Sequence, residues 1–329
     1  MRRRSPSRRI EAAQRVFAVR VRYSGAPSSI AAPMSKPDSN AVSSAPLSHG
    51  ARIAMLTVAA MLAFAGNSLL CRLALKGTQI DAASFTLVRI TAAALVLWVI
   101  LLVRGGGGGE PHGARRGGSW VSALALIGYA VTFSFAYVRL AAGTGALLLF
   151  GAVQATMIGY GIAIGERLAA MQWLGLLLAL AGLVWLVLPG LAAPDPLSSA
   201  LMIAAGVGWG VYSLRGRGQA DPVAATAGNF LRALPFAAAV AALAHAHARF
   251  GFAYAAASGA LTSGLGYVVW YAALKGLKPA TAATVQLSVP VITAAGGVLL
   301  LGEALSARLV ASSVAILGGI ALVVLSKRH

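Results

Sequence analysis

From Arg52 onward, long apolar runs alternate with short joints where charges, glycines and prolines gather. Each run is close to the roughly 20 residues an α-helix needs to cross a hydrocarbon core. Ile53–Leu73, Ala83–Val103, Trp120–Leu140, Gly143–Ile164 and Trp173–Leu188 form a first set of five. Leu197–Leu214, Val223–His245, Phe250–Leu274, Ala280–Leu301 and Leu309–Leu325 form a second. The joints read "LKGTQID", "RGGGGGEPHGARRGG", "PGLAAPDP", "RGRGQADP" and "KGLKP". A helix satisfies its own backbone, so it is the spanning form for segments this long. The pattern predicts an all-α integral membrane protein with ten transmembrane helices.

The two sets end alike. "IGERLAAMQWLGLLLALAGLVWLVL" and "LGEALSARLVASSVAILGGIALVVL" superpose at an offset of 137, which puts Glu166 on Glu303 and Gly182 on Gly319. Earlier in each set, "LVRITAAAL" meets "FLRALPFAA" at an offset of 143, with Arg89 on Arg232. The six extra residues of the first copy fit the loop "RGGGGGEPHGARRGG". A shared offset over such a span is the mark of an internal duplication. Five helices per copy make the second copy enter the membrane from the opposite side. The predicted layout is therefore two inverted repeats, 51–190 and 197–326.

Composition agrees: 58% of the 329 residues are hydrophobic and 11% charged, where a soluble domain carries about a quarter charged. The net charge of +19 does not predict nucleic acid as a partner. Ten of the 27 basic residues lie in the first 52 positions and most others flank apolar runs, as Lys and Arg do around membrane spans. With a cytoplasmic N-terminus, inner joints and C-terminus hold ten basic residues and outer joints hold five. Both termini are expected in the cytoplasm and the chain in the inner membrane. Residues 1–50 are rich in Arg, Ser, Pro and Ala and read as a disordered basic tail, with an amphipathic helix over "RRIEAAQRVFAVRVRY" as the alternative. They lack the apolar core of a secretory signal. Met34 offers a second start, which would make residues 1–33 a start-site artefact. The single cysteine, Cys71, reads as a packing residue.

Two stretches carry a family resemblance. "AAGTGALLLFGAVQATMIGYGIAIGERLAAMQWLGLLLALAGLVWLVLPG" resembles the end of an EamA domain. "GYVVWYAALKGLKPATAATVQLSVPVITAAGGVLLLGEALSARLVASSVAILGGIALVV" resembles the end of another. Over roughly 51–326 the chain is similar to EamA-like transporters of the drug/metabolite transporter superfamily. The resemblance implies ten helices in two inverted EamA repeats around a central cavity that works by alternating access. The first repeat has "GAVQAT" where many relatives carry a proline, as the second does at Pro290. Helix 4 is thus expected to be straighter than helix 9.

Candidate chemistry is sparse. None of the eight acidic residues falls mid-membrane, which points away from proton coupling through a buried carboxylate. Glu166 and Glu303 follow a glycine shortly before the next helix, so capping of that helix is the first reading and gating the second. Arg89 and Arg232 sit six to nine residues into their helices, or roughly 10–13 Å. Anchoring by snorkelling is the plain reading there, and contact with an anionic substrate the sharper one. His245, His247 and Arg249 read as interface residues, and no metal site is expected. The glycine run lacks the Lys-Ser/Thr of a phosphate loop, and "GALTSGLG" reads as a close-packing device. Polar and aromatic residues inside apolar helices are the cavity candidates: Asn67, Gln154, Tyr160, Trp209, Tyr212, Tyr267, Trp270 and Gln286. The spacing of Gln286, Pro290, Thr293 and Gly297 puts them on one stripe of helix 9, and Phe150, Gln154, Met157 and Gly161 form the matching stripe of helix 4.

The expected function is transport of small organic solutes such as amino acids, metabolites or drugs, with export as the direction. The expected partners are the solute and the bilayer, with a homodimer left open and no cofactor. The rivals are a membrane enzyme acting on lipid-like substrates, which would need acid–base or metal-binding residues near the interface, and a membrane subunit that transports nothing.

Overall fold

Polar caps fix where the apolar runs become helices. Asp81 Oδ1 accepts the Ala83 and Ser84 amides, and Asp221 Oδ1 those of Val223 and Ala224 just after Pro222. Ser119 and Ser306 accept from Ser122 and Leu309. Each cap satisfies donors that a helix start leaves open. The computed structural model describes residues 49–104, 117–165, 167–190, 193–216, 219–246, 250–277, 282 and 285–326. The basic tail with its start-site question, the glycine-rich loop, Glu166, His247 and Arg249 lie outside the described residues.

In chain order the helices are α1 His49–Gly77, α2 Ala82–Arg104, α3 Trp120–Ala136, α4 Ala142–Ala163 and α5 Ala170–Val187. There follow α6 Pro196–Gly216, α7 Pro222–Leu243, α8 Phe252–Leu274, α9 Ser288–Leu301 and α10 Ala307–Leu325. Eight are long and apolar enough to cross a membrane, while α3 and α9 are apolar but shorter. No strand occurs among the described residues.

The first helix runs longer than expected, His49–Gly77 against Ile53–Leu73, and two helices fall clearly short of the sequence expectation. The run expected to reach Leu140 stops being helical at Ala136, and Tyr137–Leu140 form a turn. The helix expected from Ala280 is continuous only from Ser288. Pro290 has no N–H for the Gln286 carbonyl, and its ring disfavours an unbroken turn there. The Ser288 hydroxyl donates instead to the Val285 carbonyl at 2.6 Å. Helix α4, with no proline, runs unbroken.

Helix α2 packs on α7, α4 on α9, and α5 on α10. Helix α1 contacts α8 and α9, as α6 contacts α3 and α4; α8 lies on α2, as α7 does on α3. Small residues allow the closest approaches. In α5 and α10 a Cβ on Gly175 would meet the Gly319 carbonyl, and one on Gly319 would meet that of Gly175. Gly319→Leu should therefore lower the melting temperature and folded yield of purified protein, because overpacking costs about 1–3 kcal/mol. Its neighbour Gly318 has nothing within 4 Å of an added Cβ, so Gly318→Leu is the matched control. Equal melting temperatures for the two variants would show that the α5–α10 crossing is not tight.

Candidate functional site

A cavity of about 420 Å³ lies between α4, α6, α8 and the segment ahead of α9. Its deep wall is aromatic, with Trp209, Tyr267 and Trp270, and its sides carry Gln154, Met157 and Gln286. Toward the α6–α7 and α8–α9 joints it is lined by Gly216, Gln219, Lys275 and Leu277. The volume falls in the range of small-molecule sites, and the pattern of apolar walls with a few amides matches theirs. Five of the eight cavity candidates meet there: Gln154, Trp209, Tyr267, Trp270 and Gln286.

The other three do not line it. Tyr160 is 51% exposed on the outside of α4. Six residues on from Gln154 is two-thirds of a further turn at 3.6 residues per turn, a different face. Tyr212 is buried beside the cavity, accepting from Asn229 Nδ2 at 3.4 Å and packing on Trp209 at 5.5 Å between ring centroids. It faces a second, polar cavity of about 100 Å³ that also touches Ser119, Ser122 and Arg215. Asn67 is a connector. Its Nδ2 donates to the Tyr129 hydroxyl at 3.1 Å, and its Oδ1 accepts from Ser258 at 2.7 Å and Thr262 at 3.3 Å. On the expected stripes, Gln154 and Met157 reach the large cavity from α4, as does Gln286 from ahead of α9. Pro290, Thr293 and Gly297 are buried in helix packing.

At the opposite face, the face of the α3–α4 and α9–α10 joints, the structure is tied shut. Gly302, at φ 62°, ends α9 and turns the chain back, so that the amides of Gly302 and Glu303 both reach the Gly297 carbonyl. Only glycine takes that backbone conformation freely. Glu303 then lies over α1 and α4. Its Oε1 meets Arg72 Nε at 3.0 Å, and its Oε2 accepts the Ala142 amide at 2.7 Å. The same guanidinium donates to the carbonyls of Tyr137 and Val138 at 3.0 Å each. The pair joins α1, the end of α3, the start of α4 and the end of α9, and both side chains are nearly buried. An anion at a helix start and a cation at a helix end both lie in favourable fields. Lys76 adds a bond to the Leu301 carbonyl. This corrects the capping expectation: Glu303 serves α4, and Ser306 caps α10.

The two symmetric arginines also part company. Arg232 fits the anchor reading, donating to the Gly117 and Gly228 carbonyls and lying 5.9 Å from the centre of the Trp120 ring. Arg89 does not snorkel and is 1% exposed. Its Nε donates to Ser263 at 3.1 Å and its Nη2 to the Tyr129 hydroxyl at 3.0 Å, while Nη1 has no hydrogen-bond partner among the described residues. The guanidinium lies 5.1 Å from the Tyr129 ring centre and 5.0 Å from that of Phe133. Ser263 and its neighbours Ser258 and Thr262 stand on a π-helical stretch of α8, Ser258–Leu265. The wider turn brings all three onto the side of α1 and α2, and such stretches are frequent at functional sites. Gly259 makes the approach possible, since a Cβ there would fall on the Arg89 carbonyl.

Sequence reasoning missed Arg72, counted only as an outer-joint charge, and Tyr129, which was not singled out. A signal for Arg72 existed: the offset that sets Arg89 on Arg232 also sets Arg72 on Arg215.

Fold and site define a polytopic helical membrane protein built around a solute-sized cavity. The EamA-like transporter family model matches residues 197–325. The chain is 56% identical over 275 residues to the Pseudomonas aeruginosa protein PA1977, itself uncharacterized, with 83% of this chain and 94% of the relative covered. A solved crystal structure aligns with a TM-score of 0.57 at 21% identity, over 82% of this chain and 95% of that one, which bears on the fold alone. The chain belongs to the EamA-like transporter family, a family of membrane transporters.

Proposed function

We propose that the protein carries small organic solutes across the inner membrane by alternating access, with export as its direction. Its ten helices span the membrane as two inverted repeats, and both termini are cytoplasmic. One observation carries the reading: a cavity of about 420 Å³ lined at one end by the α6–α7 and α8–α9 joints, while Arg72 and Glu303 bind four elements together at the other face. In the proposed orientation the cavity is open to the cytoplasm. The helix contacts support the repeat, because exchanging each helix with the one five places on maps the most extensively packed pairs onto one another: α3–α6 onto α1–α8, α4–α6 onto α1–α9, and α2–α8 onto α3–α7. The basic-residue count of the joints supports the orientation.

The test is flux of candidate solutes, such as amino acids, in vesicles reconstituted with the full chain. Gln154→Leu and Gln286→Leu each remove an amide that orients a solute beside the aromatic wall, leaving Gln219 and Lys275 toward the joints. Each should cut flux at least tenfold while moving the melting temperature little, because a hydrogen bond between membrane helices averages about 0.6 kcal/mol. Absence of flux for every solute class would favour the non-transporting subunit instead.

A further inference from the structure

The polar cluster around Arg89 holds more donors than acceptors, and it holds a charge. Asn67 Oδ1 accepts from Ser258, the Thr262 hydroxyl has its shorter bond to the Ser258 carbonyl at 2.6 Å, and Ser263 Oγ receives Arg89 Nε. The Tyr129 oxygen receives both Arg89 Nη2 and Asn67 Nδ2, and among the described residues no acceptor is found for its own proton. Arg89 Nη1 brings two further N–H groups with nothing to bond. No carboxylate pairs with Arg89 among the described residues. A cation sealed within the membrane faces its pathway or its partner, and a buried donor without an acceptor is costly. What the cluster lacks is an anion.

The cluster also borders a void on the side of Tyr129, while Arg89 itself lines neither that void nor the large cavity. The void, of about 20 Å³ and large enough for one water, touches Asn67, Tyr129 and Thr262 of the cluster. Trp209 and Tyr267 line both this void and the large cavity, so their rings, 4.9 Å apart, are the wall between them. Among the described lining residues of the large cavity the one charged side chain is Lys275, a cation, and none is acidic. A positively biased cavity of this kind concentrates anions.

We infer that Arg89 and Tyr129 form an anion subsite, and that the transported solutes are organic carboxylates with an apolar or aromatic body. The inference rests on the carrier reading above. The carboxylate accepts from Arg89 Nη1 and from the Tyr129 hydroxyl, a charge-assisted pair of bonds. The body stays among Trp209, Tyr267 and Trp270. In the state described here the two rings separate head site from cavity, so occupancy requires them to part.

The experiment measures binding of benzoate, phenylacetate and indole-3-acetate, each beside its amide, to purified full-length protein by calorimetry. At least one carboxylate should bind tenfold or more tighter than its amide. Arg89→Lys should keep that preference in weaker form, and Arg89→Gln should bring acid and amide within about twofold. Should Arg89→Gln fail to fold, Tyr129→Phe leaves the arginine in place. It should weaken the acid about tenfold, as loss of a hydrogen bond to a charge does, and leave the amide unchanged. A purely structural Arg89 would lower stability without altering the ratio of acid to amide. The inference fails if no acid is preferred over its amide, or if the preference survives unchanged in Arg89→Gln or Tyr129→Phe. Flux of the same compounds in vesicles separates the two readings: preferential binding without flux overturns the carrier, and flux blind to charge overturns the subsite.

Discussion

Glu303→Gln should open the face that the wild-type protein keeps closed. Thr293→Cys, placed in a Cys71→Ala background, reads this out, because Thr293 is fully buried on the packed stripe of α9. Its reaction with a membrane-impermeant maleimide added at the face of the α9–α10 joint, the outside in the proposed orientation, should be slow with Glu303 present and at least tenfold faster with glutamine. The magnitude follows from the burial of the pair. Stranding one partner of a buried ion pair costs about 3–5 kcal/mol, and half of the lower figure already shifts a two-state equilibrium about tenfold. Solute flux should fall as well, since a carrier that cannot close one face cannot complete its cycle. The charge-swapped double variant, Arg72→Glu with Glu303→Arg, should not rescue labelling or flux. The Tyr137 and Val138 carbonyls accept only a donor, and the Ala142 amide requires an acceptor. Rescue by the swap would reduce the site to a simple ion pair, and unchanged labelling in Glu303→Gln would remove its gating role.

Trp209→Ala should cost far more stability than Trp270→Ala, although both rings line the cavity. Trp209 lies within 6.2 Å of the ring centroids of Phe64, Tyr129, Tyr212 and Tyr267, whereas Trp270 meets Phe64 alone, at 5.8 Å. Removing the first empties the centre of the aromatic cluster, and large-to-alanine changes in cores cost about 3–5 kcal/mol. Removing the second mainly widens the cavity. Thermal unfolding should fall sharply for Trp209→Ala, while Trp270→Ala should admit bulkier solutes in the flux assay. Equal melting temperatures would mean that the cluster around Trp209 is not a structural unit.

Much of the site was legible because membrane burial leaves few polar side chains, and each has to face something. Gln154, Trp209, Tyr267, Trp270 and Gln286 could be picked out inside apolar runs for that reason, and they share one cavity. Tyr160 lies outside it because a phenol ring tolerates an outward position that an amide does not, and its place on α4 is two-thirds of a turn off the face of Gln154. Asn67 and Tyr212 satisfy their polar groups within the protein, and no composition rule separates that from lining a cavity.

The sequence by itself determined the helices. A lipid interior forces each apolar run to satisfy its own backbone, and the joints mark their ends through Asp, Ser, Gly and Pro. It also carried the offsets of 143 and 137 on which the proposed repeats rest, since these need only alignment. Tertiary structure alone decided which face was closed and what closed it. Arg72 and Glu303 are 231 positions apart, and what joins them is the left-handed turn at Gly302 together with the packing of α1 against α9. It likewise decided that Arg89 is sealed among rings while Arg232 finds backbone carbonyls. The two fall on one another when the sequence stretches are superposed at the offset of 143, so no local pattern distinguishes them. The difference comes from what the neighbouring helices present: a π-helical turn of α8 and an unacceptored tyrosine to one, the start of α3 to the other.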